Sequence, residues 1–175
     1  TASNAVYIAG WTIGSNGGTG WESGWALSGS ANAGHYRPVT EANLEIGPYA
    51  WGMWANSGAL SESIRHLAYP LASGDVFQVQ FDNNWVNGGG QVGIGLRNNW
   101  DTNLFEFFFI GGQTNYQVRD GRGTHDIPLT WTNIGLHLSL QLTTRTTYQF
   151  AVQYATNTVI VTGQLASASD QQITR

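Results

Sequence analysis

The chain has 175 residues, of which 41% are hydrophobic, 13% aromatic and only 10% charged, with 23 glycines, no cysteine and a formal charge of −4. A chain of that length is most simply one domain that buries about 70% of its unfolded surface, and without cysteine it has no disulfide, thiolate nucleophile or sulfur-bound zinc. Every basic residue is arginine and none forms a run, which argues against nucleic acid as a partner, and no apolar stretch approaches the roughly 18 residues of a membrane span.

Low charge, abundant glycine and many aromatics favour an all-β, turn-rich extracellular domain. The opening residues Thr1 to Asn4 carry no signal-peptide pattern, so the expectation is a secreted protein in its mature form or a segment of a larger one. Residues 6–13 alternate weakly and predict a first strand, followed by a glycine-rich turn over 14–20. No Lys follows those glycines and no helical period begins, which sets aside a phosphate loop. Residues 27–30 lead into a turn, and 35–46 predict a strand and a turn, with Pro38 confined to an edge or loop. Residues 46–54 form an aromatic strand with Tyr49, Trp51 and Met53 on one side and Trp54 on the other. Residues 59–67 fit a helical turn or a strand, and the strand is preferred because Ile64, Leu67 and Tyr69 run out to Pro70.

The most regular stretch is 75–119, where four runs alternate between apolar and polar. Phe77, Val79 and Phe81 share one face, as do Val92, Ile94 and Leu96, then Phe105, Phe107 and Phe109, then Tyr116 and Val118. If sequential strands are neighbours, the opposite face of a single sheet carries Gln78, Gln80, Asp82, Arg97, Glu106, Gln117 and Arg119 over a floor partly of glycine. Three further strands follow at 136–142, 147–154 and 158–165, with a hairpin turn over 155–157 joining the last two. Short strands with polar connections and no helical period predict a two-sheet antiparallel β-sandwich or jelly roll, as one domain over 1–175. Residues 171–175 begin what reads as a further strand, so a closing strand is expected from beyond the chain or from another segment.

The polar face suits an uncharged, hydroxylated ligand. A sugar ring stacks its C–H face on an indole while amides, guanidinia and carboxylates take its hydroxyls. Trp85 and Trp100, with Asn99 beside the latter, sit in amide-rich turns and are expected at one rim of that face, whereas Trp11, Trp21, Trp25, Trp51 and Trp131 are expected in cores. Asp82 and Glu106 are the carboxylates a glycoside hydrolase would need, although no strand carries alternating acids and the bland role of partnering Arg97 and Arg119 weighs more. A lyase is disfavoured by the absence of Lys. The histidines His35, His66, His125 and His137 lack ligand spacing. If a metal is held, calcium fits best, through Asp82, Asn83, Asn84, Asn87, Asp101 and Asn103, which also suit turns for local reasons. Asp120 to Gly123 reads as a tight turn.

Gly17-Gly-Thr-Gly-Trp21 with Trp25, Trp51-Gly-Met-Trp-Ala-Asn56, Phe81-Asp-Asn-Asn-Trp85, Gly88-Gly-Gly-Gln-Val-Gly-Ile-Gly-Leu96 and Phe105-Glu-Phe-Phe-Phe-Ile-Gly-Gly112 carry a resemblance. Across nearly its whole length the chain resembles secreted bacterial concanavalin A-like (laminin-G-like) jelly-roll modules appended to extracellular polysaccharide-degrading enzymes. The resemblance implies non-catalytic binding of a polysaccharide or oligosaccharide, with other domains of a larger secreted protein as neighbours. It also implies a further strand beyond Arg175. The rival readings are a glycoside hydrolase using Asp82 and Glu106, and an extracellular structural or filament subunit completed by a neighbouring subunit's strand.

Overall fold

The computed structural model describes residues 1–37, 49–56 and 58–175. Of the strand and turn expected over 35–46, residues 38–46, Pro38 included, lie outside the described residues, as do the first residues of the expected 46–54 strand. The chain divides into two compact units, Thr1–Tyr69 with Arg175, and Pro70–Thr174. Among the described residues the regular structure is β throughout apart from one 3₁₀ turn, and no helix is long and apolar enough to cross a membrane.

In the first unit, the strand expected over 6–13 is replaced by a 3₁₀ turn, Ala5–Tyr7. The Asn4 side chain accepts from the Val6 amide, the kind of local bond that draws a chain away from extended structure. Tyr7 is fully buried, and its hydroxyl accepts from the Gly17 amide and the Trp25 indole, each at 3.1 Å. Two antiparallel pairs follow. Strand β1 (Ala26–Gly29) pairs with β4 (Ser61–Ile64), and β2 (Ala33–Tyr36) with β3 (Gly52–Ala55), so the 59–67 segment is a strand, as preferred. Trp11, Trp25 and Trp51 form an edge-on cluster with Tyr7, and Trp11 is buried as expected. The buried Arg65 guanidinium lies 4.7 Å over the Trp21 ring and donates to the carbonyls of Gly17 and Ser23. Burial lowers its pKa, partly offset by Tyr7.

The second unit is the β-sandwich. One sheet has the order β12-β11-β10-β5, built from β5 (Val76–Phe81), β10 (Leu136–Leu142), β11 (Thr147–Tyr154) and β12 (Asn157–Gln164). The other has the order β6-β7-β8-β9, built from β6 (Gln91–Arg97), β7 (Asn103–Ile110), β8 (Asn115–Asp120) and β9 (Gly123–Thr130). All neighbours are antiparallel.

Two expectations are corrected here. The runs of 75–119 do not make one sheet, because β5 pairs with β10. Its alternation fixes which side faces inward, but the glycine-rich 82–90 connection is too long for a tight hairpin and carries the chain to the other sheet. Residues 171–175 are not a strand either. The Ile173 side chain is fully buried, and the backbone bonds Leu71 N–H to Ile173 C=O at 3.0 Å and Thr174 N–H to Arg97 C=O at 2.8 Å tie this segment to the residues leading into β5 and to the end of β6. One strand of the sandwich was not foreseen: β9, which contains Pro128 and lies at the sheet edge, a position that tolerates proline.

The expected inward faces hold. Phe105, Phe107, Tyr116, Val118, Ile127 and Leu129 from one sheet meet Leu136, Leu138, Leu140, Tyr148, Phe150 and Val152 from the other, all essentially buried. Phe105 and Phe150 centroids are 4.9 Å apart, and Phe107 lies 5.3 Å from Phe150 and 5.9 Å from Phe81. Each such ring contributes about 1.5–3 kcal/mol by burial, so these aromatics lock the two layers. At one edge a polar pin crosses between them. The Tyr148 hydroxyl donates to the buried Asp120 carboxylate at 2.6 Å, and that carboxylate also accepts from the Arg122 amide at 2.8 Å. The Asp120–Gly123 turn therefore does more than reverse the chain.

Candidate binding face

The outer face of the β6–β9 sheet gathers most of the polar residues singled out from sequence. Register sets them in rows: Gly95, Glu106, Arg119 and Thr124 in one, and Gly93, Phe108, Gln117 and Asp126 in the next. The glycines are the expected floor. At Gly93 the floor is obligatory, since an added Cβ would lie 2.6 Å from the Phe108 Cβ.

Hydrogen bonds run across these rows as a ladder. Arg97 Nε donates to Asn103 Oδ1 at 2.6 Å, and Asn103 Nδ2 donates to Glu106 Oε1. The other Glu106 oxygen accepts from Arg119 Nη1 at 2.5 Å, and Arg119 Nε reaches Thr124 Oγ1 at 3.0 Å. Below it, Gln117 Nε2 donates to Asp126 Oδ1 at 2.7 Å, and the Arg119 guanidinium lies 4.9 Å over the Phe108 ring. Glu106 is only 8% exposed although it points outward, and Phe108 is buried beside it, so β7 is covered on both faces. The Arg119 side chain is nearly half exposed, so this ion pair adds at most about 1 kcal/mol to stability. Its larger effect is positional. Two bonds and a ring fix the guanidinium plane while part of it stays open to solvent.

The β6–β7 connection lies at the Arg97 end of the ladder. Asn98, fully buried, organises it: its Oδ1 accepts from the Trp100 and Thr102 amides, each at 2.9 Å, and its Nδ2 donates to the Asp170 carbonyl at 2.7 Å. Asp101 has φ of 62°, a conformation Asp tolerates, and pairs with Arg97 at 3.6 Å. Held between them, Trp100 is 76% exposed, with Asn99 beside it.

Several expectations about the site are corrected. Gln78 and Gln80 lie on the outer face of the other sheet, where Gln80 Nε2 approaches His137 Nδ1 at 3.4 Å. Asp82 follows the end of β5 and so belongs to that other sheet's connection, which leaves Asp82 and Glu106 without a shared face. Trp85 is 79% exposed, with its Nε1 on Asn87 Oδ1 at 3.0 Å, but it lies before β6 while Trp100 lies after it. They sit at opposite ends of a strand about 20 Å long, not at one rim. The proposed calcium ligands divide the same way, Asp82 to Asn87 at one end and Asp101 and Asn103 at the other, and Asn84 and Asn103 spend their side chains on local bonds. Among the described residues no group of three or more His, Cys, Asp and Glu is placed to hold a metal. Trp131, expected in a core, is 36% exposed and only flanks Phe109, at 6.3 Å between ring centroids.

No protein-family model, curated protein or solved structure matches the chain.

Asn103, Phe108, Thr124 and Asp126 complete the face and were not assigned to it from sequence. For Thr124 and Asp126 the signal was present, because Thr124, Asp126 and Thr130 alternate with Ile127 and Leu129 once β9 is recognised as a strand.

Proposed function

We propose that the sandwich is a non-catalytic carbohydrate-binding module of a secreted protein, taking a neutral polysaccharide or oligosaccharide on the outer face of β6–β9. The observation that carries this reading is the ladder from Arg97 to Thr124, rigid before any ligand arrives and ending beside an exposed indole. A pre-ordered polar array beside a solvent-facing aromatic is what a sugar requires, and pre-ordering lowers the entropic cost of binding. The charges on this face are largely matched within it, Arg97 with Asp101 and Arg119 with Glu106, which supports an uncharged ligand.

Catalysis fits less well. Both oxygens of Glu106 are occupied by Asn103 and Arg119, and Asp82 belongs to the other sheet. A general acid and its partner must both reach one glycosidic bond. The resemblance to appended jelly-roll modules agrees with this reading.

The experiment is affinity electrophoresis of the purified chain through gels cast with neutral polysaccharides, with and without calcium, alongside a reducing-end assay. Retardation without release of reducing ends is expected. Release of reducing ends that disappears in Glu106→Gln would move the protein to the glycoside hydrolases.

A further inference from the structure

Among the described residues, strand β12 ends its sheet and is paired through β11 alone, in unbroken register from Thr147↔Gln164 to Tyr154↔Asn157. The Gln164 carbonyl accepts from the Gly121 amide, so it points away from β11. By the alternation of a β ladder, the N–H and C=O groups of Thr158, Ile160 and Thr162 point to the open edge as well. All three side chains are exposed, and Ile160 is 58% exposed.

Proteins blunt such edges with charge, proline, bulges or brevity. The other edge strands of the sandwich show these devices: β9 carries Asp126 and Pro128, β6 has a register shift at Leu96/Arg97, and the shorter β5 is flanked by Asp75 and Asp82. Strand β12 has eight residues with no charge, no proline and no shift. Its centre, Thr158-Val-Ile-Val-Thr162, reads the same in both directions.

We infer that β12 pairs antiparallel with β12 of a second copy of this chain, about a two-fold axis at Ile160. A two-fold contact requires one patch to be complementary to itself, and this segment is. The axis sets Thr158 opposite Thr162 of the other copy, Val159 opposite its Val161, and Ile160 opposite its Ile160. Threonine pairs and β-branched pairs are favourable cross-strand neighbours, and the absence of charge removes repulsion at the contact between two molecules that each carry −4. The half-buried Val159 and Val161 extend the inner layer, and the two sheets become one. Edge pairing buries little area, so the dimer is weak and concentration-dependent. This inference stands independently of the carbohydrate reading.

Sedimentation velocity over a concentration series tests it, with two double variants at the same exposed positions. Thr158→Lys with Thr162→Lys sets like charges opposite each other across the axis and should raise the dissociation constant roughly tenfold or more. Thr158→Lys with Thr162→Glu sets opposite charges in register and should restore dimers, more so at low salt. Circular dichroism of each variant confirms that the sandwich is intact. A wild type that stays monomeric at millimolar concentration, species larger than a dimer, or equal association of the two double variants would overturn the inference.

Discussion

Tyr148→Phe removes one oxygen and nothing else from the pin between the two sheets. In the wild type that hydroxyl donates at 2.6 Å to Asp120, whose side chain is fully buried and accepts as well from the Arg122 amide and guanidinium. Burial pushes the Asp120 pKa up, but these donors outweigh it and hold the carboxyl below its ordinary range. A hydrogen bond to a buried charge contributes about 1.5–3 kcal/mol, and the variant should lose that much at neutral pH. The pH dependence follows from the direction of the shift. A carboxyl with a depressed folded-state pKa stabilises fully above its unfolded value, near pH 4, and that contribution vanishes as pH falls through the folded value. The gap between wild type and variant should therefore be complete at pH 7 and shrink below about pH 4. Urea unfolding followed by tryptophan fluorescence measures both. A gap below about 0.5 kcal/mol at pH 7, or one unchanged under acid conditions, would refute the assignment of Asp120 as an ionised pin.

Gly163→Ala should destabilise the sandwich by about 1–3 kcal/mol, because the added Cβ would lie 2.6 Å from the Tyr148 hydroxyl and closer still to Asp120; chemical denaturation against the wild type checks it. Burial pushes the Tyr116 phenol up to about 12 and raises Tyr148 further, with Asp120 adding to the effect on Tyr148. Stability should therefore be retained up to about pH 10 and decline above it, where the unfolded phenols ionise first; phenolate absorbance of the wild type against Tyr116→Phe and Tyr148→Phe should show both of these phenols titrating late. Once a binding polysaccharide is in hand, Trp100→Ala should weaken its binding by about 1–3 kcal/mol with little loss of stability, whereas Trp85→Ala should leave it unchanged; isothermal titration calorimetry and a thermal melt decide.

The strands of the sandwich were legible wherever alternation was strict. Phe77, Val92, Phe105, Leu138 and Phe150 all turn inward as their period-2 context requires, because a one-residue slip would have inverted each face. Which sheet a strand joins is a different question. Strand β5 has the same pattern whether it borders β6 or β10, and only the long 82–90 connection hinted at a crossover. That single choice moved Gln78, Gln80 and Asp82 off the candidate face and separated Trp85 from Trp100. Glu106, Gln117 and Arg119 stayed together because β7 and β8 are joined by a tight turn, for which sequence neighbours are also spatial neighbours. The 3₁₀ turn at Ala5–Tyr7 was hidden because weak alternation there competes with an asparagine that bonds its own backbone.

The central claim is the location of the ligand, and nuclear magnetic resonance of the isotopically labelled chain tests it most directly. On addition of a neutral oligosaccharide from the best-retained polysaccharide, the Trp100 indole N–H, the Gln117 side-chain amide and the Arg119 Nε–H should shift in parallel. The Gln78 and Gln80 amides and the Trp85 indole should stay where they are. Shifts confined to Gln78, Gln80 or Trp85, or no shift with any neutral oligosaccharide, would contradict it.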